Sequence, residues 1–130
     1  MPVELQWLAW SVVLGLAYIV VAASFGTWMR GLFWNLGNRD SEPKGLGIYG
    51  ARAQRASRNF LETFALFAAA TLAVIVAQRG SAQTVLGAQL YFWARVAYLP
   101  IYIIGIPYLR TLVWAASIVG IVMMLAPLLH

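Results

Sequence analysis

Hydrophobic residues fall along this chain in four long runs, at about residues 5–29, 60–77, 84–104 and 106–129, broken only by isolated polar positions. Runs of about twenty residues suit an α-helix crossing roughly 30 Å of hydrocarbon and are too long for strands. The pattern predicts an all-α integral membrane protein, a bundle of four transmembrane helices forming a single domain over residues 1–130. The helices are expected at about 5–29, 51–78, 84–104 and 106–129. The second extends back beyond its apolar run because Arg52, Arg55, Asn59 and Glu62 step by three, four and three, which sets them on one helix face. The first carries Trp7 and Trp10 near one end and Trp28 near the other, as aromatic belts at two interfaces require. Glu4, not Lys or Arg, precedes that run, and the run exceeds a signal-peptide core, so it is expected to be retained.

Composition and charge narrow the picture. The chain is 62% hydrophobic and 10% charged, with a mean hydropathy of +0.77, which leaves no room for a soluble domain. Most of the +5 net charge sits in residues 30–58, where Arg30, Arg39, Lys44, Arg52, Arg55 and Arg58 outnumber Asp40 and Glu42. The excess marks this loop as cytoplasmic, with both termini outside and the turn near residues 105–107 back on the cytoplasmic side. Nucleic acid is not an expected partner, since the basic residues border the bilayer without a recognition fold. There is no cysteine, and the one histidine is His130, so no metal site and no protein thiolate are expected. A sulfur nucleophile would have to arrive with the substrate.

The membrane charges gather toward one face. Arg30 ends the first helix, Glu62 opens the second apolar run, Arg95 lies within the third, and Arg110 falls in the first turn of the fourth. An ionisable residue inside a bilayer costs about 2.5–3.5 kcal/mol on insertion scales and faces a bundle interior or a wet cavity. Tyr91, Arg95, Tyr98 and Tyr102 share a face of the third helix, although tyrosines at helical spacing more often pack than bind. Arg95 has two readings, a structural ion pair with Glu62 or a ligand contact. Guanidiniums clamp carboxylates in bidentate fashion, and a carboxylate such as Glu62 accepts from an ammonium group. The stripe on the second helix therefore suits a small zwitterion richer in carboxylate than in amine, such as glutathione. A small multidrug-type transporter shares the four-helix length but calls for a carboxylate deep in the first helix, where this chain has only Glu4. A non-catalytic membrane adaptor would need no complete anion clamp.

The stretch Arg55-x-x-Arg58-Asn59-x-x-Glu62-x-Phe64 resembles the second-helix signature of the membrane-associated proteins in eicosanoid and glutathione metabolism, the MAPEG family. Arg95-x-x-Tyr98-x-x-x-Tyr102, followed by Pro107-x-x-Arg110, resembles its third and fourth helices. The likeness covers nearly the whole chain and is closest to bacterial-type members similar to microsomal glutathione transferases. It implies a homotrimer in a membrane, expected to be a bacterial inner membrane, with the site near the cytoplasmic face. It also implies glutathione as co-substrate, bound between subunits, with its thiol activated for conjugation to lipophilic electrophiles or reduction of lipid peroxides. By the same resemblance Arg30, Arg55, Arg58, Asn59, Glu62, Tyr98 and Tyr102 bind glutathione, and Arg110 stabilises its thiolate as the catalytic residue. The chain departs from the family pattern at Ala65, where many members have proline, at Tyr98, where the prostaglandin synthase has histidine, and at Trp114, where tyrosine is common. These departures leave the lipophilic substrate open.

Overall fold

The computed structural model describes residues 1–30 and 47–129, and the side chains of Met29 and Arg30 fall outside what it describes. The expectations for Arg30, Arg39, Lys44 and His130 therefore lie outside the described residues. Four α-helices follow one another: α1 Val3–Arg30, α2 Gly47–Val76, α3 Ala82–Ile104 and α4 Pro107–Leu125, the last closed by a 3-10 turn at Ala126–Leu128. They run alternately up and down, so the end of α1, the start of α2, the end of α3 and the start of α4 meet at one end of the bundle.

The helix ends follow from local chemistry. Ser81 caps α3: its hydroxyl accepts from the Thr84 N–H, and the Thr84 hydroxyl accepts from the Ser81 N–H, a reciprocal capping box. Gly105 ends the same helix with φ +91°, the left-handed conformation that glycine adopts without a Cβ penalty. Pro107 then opens α4, where its fixed φ fits and its missing N–H is no loss. Two residues, Gly105 and Ile106, thus connect two antiparallel helices. The second helix begins at Gly47, earlier than the expected residue 51.

Three spans, Val3–Trp28, Gly47–Val76 and Pro107–Leu128, are long and apolar enough to cross a membrane. The third helix, expected as a span like the others, is not among them. Its 23 residues give about 35 Å of length, but Gln83, Thr84, Gln89, Arg95 and three tyrosines interrupt its apolar character. Its neighbours bury Thr84, Tyr91, Arg95 and Tyr98, whereas Gln83 stays exposed. At Gly87 and Gly120 the backbones of α3 and α4 come so close that a Cβ on either would lie 2.6 Å from the other's carbonyl oxygen, the close approach that small residues permit between membrane helices.

Two buried clusters fill the bundle. One, at the end away from the basic residues, joins Leu8, Phe67, Val74, Tyr91, Ile121 and Met124, with Phe67 stacked on Tyr91 at 4.0 Å between ring centroids. The other, beneath the basic end, joins Tyr18, Ala56, Phe60 and Tyr98. Large apolar residues such as Leu16, Val20, Leu66 and Leu112 point outward, the surface a lipid-facing bundle needs.

Candidate functional site

The basic end of α2 is built for exposure on one face and packing on the other. Ala53, Ala56 and Phe60 turn into the bundle, which leaves Arg55, Arg58 and Glu62 exposed and Asn59 half-buried on the flank toward α3. Tyr98 and Tyr102 come from the last two turns of α3, and Arg110 from the first turn of α4. Together Arg55, Arg58, Asn59, Glu62, Tyr98, Tyr102 and Arg110 line one cavity of about 370 Å³. That is near the lower end of ligand clefts, roughly 300–1,000 Å³.

Tyr102 stands between two cations. Arg55 Nε donates to its hydroxyl at 3.2 Å, and the Arg110 guanidinium lies over its ring at 4.7 Å from the centroid. The aromatic face attracts the cation and takes up one side of the guanidinium plane, so the N–H groups at its rim remain available as donors. Tyr98 packs edge-on against Tyr102 at 5.5 Å. The lining thus offers three cations, one carboxylate, one amide and two phenols.

Arg95 lies behind this wall, fully buried. Its guanidinium sits over the Tyr98 ring at 4.2 Å and the Phe60 ring at 5.5 Å, and Nη2 donates to Asn59 Oδ1 at 2.9 Å. The ion pair considered for Arg95 and Glu62 does not form among the described residues: the amide one turn nearer on α2 takes the guanidinium, and Glu62 stays exposed. Nε and Nη1 find no protein partner among the described residues.

The other members of the sequence stripes separate from the cavity. Tyr91 does not reach it: the hydroxyl pairs with Thr63 Oγ1 at 3.0 Å and the ring belongs to the cluster with Phe67 and Met124. Arg52 also leaves the stripe. Its Nη1 donates to the carbonyls of Ile103 and Ile104, both at 3.1 Å, and so closes the C-terminus of α3, where a cation meets the negative end of the helix dipole. Tyr18 is the supporting residue that sequence reasoning missed. Its hydroxyl donates to the Arg95 carbonyl oxygen, and a tyrosine in the middle of an otherwise apolar run was the available signal.

The MAPEG family model matches residues 7–129. Comparisons with curated proteins and with solved structures find no match.

Proposed function

We propose, from the premise that this chain belongs to the MAPEG family, that it is a glutathione-binding membrane enzyme. The reading extends to thiol activation for conjugation to lipophilic electrophiles or reduction of lipid peroxides. What carries it is the convergence of Arg55, Arg58, Asn59, Glu62, Tyr98, Tyr102 and Arg110 from three helices on one cavity. The donor set fits the tripeptide: Arg55 and Arg58 would bind carboxylates, Glu62 the ammonium group, and Asn59 a carboxylate or peptide carbonyl.

Arg110 would serve the sulfur. A cysteine-type thiol ionises near pH 8.5, and a guanidinium beside it in a low-dielectric site lowers that by a unit or more, which raises the thiolate fraction at neutral pH severalfold. Arginine stays charged throughout, so the proton passes to water or a phenol. In conjugation the thiolate sulfur bonds to the electrophilic carbon and the leaving group departs with the electron pair. With a hydroperoxide the sulfur takes the terminal oxygen, the O–O bond breaks, and the alkoxide picks up a proton. A second glutathione thiol then converts the sulfenic acid to disulfide and water. The lipophilic substrate would enter from the bilayer and glutathione from the aqueous face.

The same reading includes a homotrimer. Arg58 and Glu62 are exposed on the single chain at the edge of an apolar helix, and a neighbouring subunit would cover them. The cytoplasmic orientation follows from the basic loop. Calorimetric titration with glutathione in detergent, paired with thiolate absorbance against pH and turnover of an aryl halide or a lipid hydroperoxide, tests the whole. Binding with a lowered thiol pKa and turnover is expected. Binding without either would favour the adaptor, and no binding would reject the reading.

A further inference from the structure

A guanidinium has only donors, so it can bond an amide side chain only at its oxygen. The Arg95 Nη2 to Asn59 Oδ1 bond of 2.9 Å therefore dictates which way the Asn59 amide points. The oxygen is turned inward, and the NH2 group, which can only donate, is the end left for the cavity that Asn59 lines. Turning the amide over would set donor against donor next to a fully buried charge.

Arg95 is itself held firmly. The Tyr98 and Phe60 rings lie against its guanidinium, at 4.2 and 5.5 Å, and the Tyr18 hydroxyl anchors its backbone carbonyl. Pairwise stabilisation does not explain the burial of this charge. Two of its nitrogens have no protein partner among the described residues, and an apolar side chain of similar size would fill the same space at lower cost. We infer that Arg95 is a positioning residue: it locks Asn59 as a donor toward the cavity and so selects ligands that present a carboxylate at that point.

This inference rests on the glutathione reading for its ligand, and the test separates the two. The measured quantity is the preference of the purified full chain for glutathione over its dimethyl ester. Arg95→Met should lower this preference about tenfold, and Arg95→Lys, which still donates to the amide oxygen, should restore a good part of it. Asn59→Ala should lower it equally, and adding Arg95→Met in that background should change nothing more, since the arginine acts through the amide. A loss of the same size in both backgrounds would overturn the inference.

Should Arg95→Met fail to fold, Asn59→Asp keeps an oxygen for Arg95 and replaces the NH2 donor with a charged oxygen that can only accept. It should fold and lose the preference, and a retained preference would be equally fatal. Selective 15N-asparagine labelling supplies an arm free of glutathione. The Asn59 side-chain amide should give a well-dispersed pair of N–H signals in the wild type and in Arg95→Lys, and a pair that moves toward the shifts of a free asparagine amide in Arg95→Met. Unchanged signals in Arg95→Met would sink the orientation lock, whereas a wild type that binds no glutathione yet shows the lock would reject the functional reading alone.

Discussion

The guanidinium of Arg52 occupies the space into which a side chain on Gly105 would project: a Cβ there would lie 2.6 Å from Nη1 and 2.7 Å from Cζ. The two residues are far apart in sequence yet together form the turn from which α4 starts. Arg52 neutralises the carbonyl end of α3, and Gly105 supplies the left-handed residue that turns the chain toward Pro107 and Arg110.

Gly105→Ala should therefore both strain the backbone and push Arg52 off its carbonyls. A non-glycine residue at such a φ costs on the order of 1–3 kcal/mol. The expected outcome is a shorter thermal half-life in detergent. Combining it with Arg52→Ala should relieve the collision but not the strain, so the double variant should be less destabilised than the two single effects added. Full additivity would mean the contact carries no energy.

Much of this architecture was legible because the bilayer imposes it. Four apolar runs, tryptophans at both ends of α1 and a basic first loop each have one physical explanation, and the helices fall within a few residues of their expected bounds. The cavity lining was legible at Arg55, Arg58, Asn59 and Glu62 because helical spacing puts them on one flank. Spacing could not sort residues within a stripe. Arg52 and Arg55 share a face, but a turn of height separates them, so one meets the end of α3 and the other the Tyr102 hydroxyl. Arg95 likewise lies level with Asn59, a choice between Asn59 and Glu62 that depends on the relative heights of two helices.

Arg58 and Glu62 carry the test of assembly. Both are exposed on the single chain, where an exposed charged contact contributes only about 0–1 kcal/mol. If a second copy covers them in a trimer, Arg58→Ala and Glu62→Ala should each weaken glutathione binding by ten- to a hundredfold, in line with the roughly 1.5–3 kcal/mol of a hydrogen bond to a charged group. Native mass spectrometry should find the trimer in mild detergent. A monomer that binds glutathione at full strength would defeat the intersubunit site.

The absence of cysteine makes the orientation simple to measure. A single cysteine introduced in place of Lys44 should react with a membrane-impermeant maleimide only after the cytoplasmic face is opened, because an excess of Lys and Arg favours the cytoplasmic side. Labelling of intact cells would reverse the topology and move the candidate site to the other side of the membrane.

Arg110 separates binding from chemistry. It comes from a different helix than the α2 cations, and Tyr102 lies against its guanidinium plane at 4.7 Å, so its role under the glutathione reading is toward sulfur rather than carboxylate. Arg110→Ala should keep most of the affinity for glutathione, raise the pKa of the bound thiol and slow conjugation by about tenfold or more, since the charge it removes stabilises only the ionised sulfur. The sign is fixed by the charge: without the cation the thiolate is disfavoured, and the rising limb of the pH–rate profile moves to higher pH. Arg110→Lys should recover part of the shift, because a point charge replaces the planar fork. If pKa and rate stay unchanged in Arg110→Ala while the wild type is active, the activating group lies elsewhere, and the Tyr102 hydroxyl, bonded to Arg55 at 3.2 Å, is the next residue to replace.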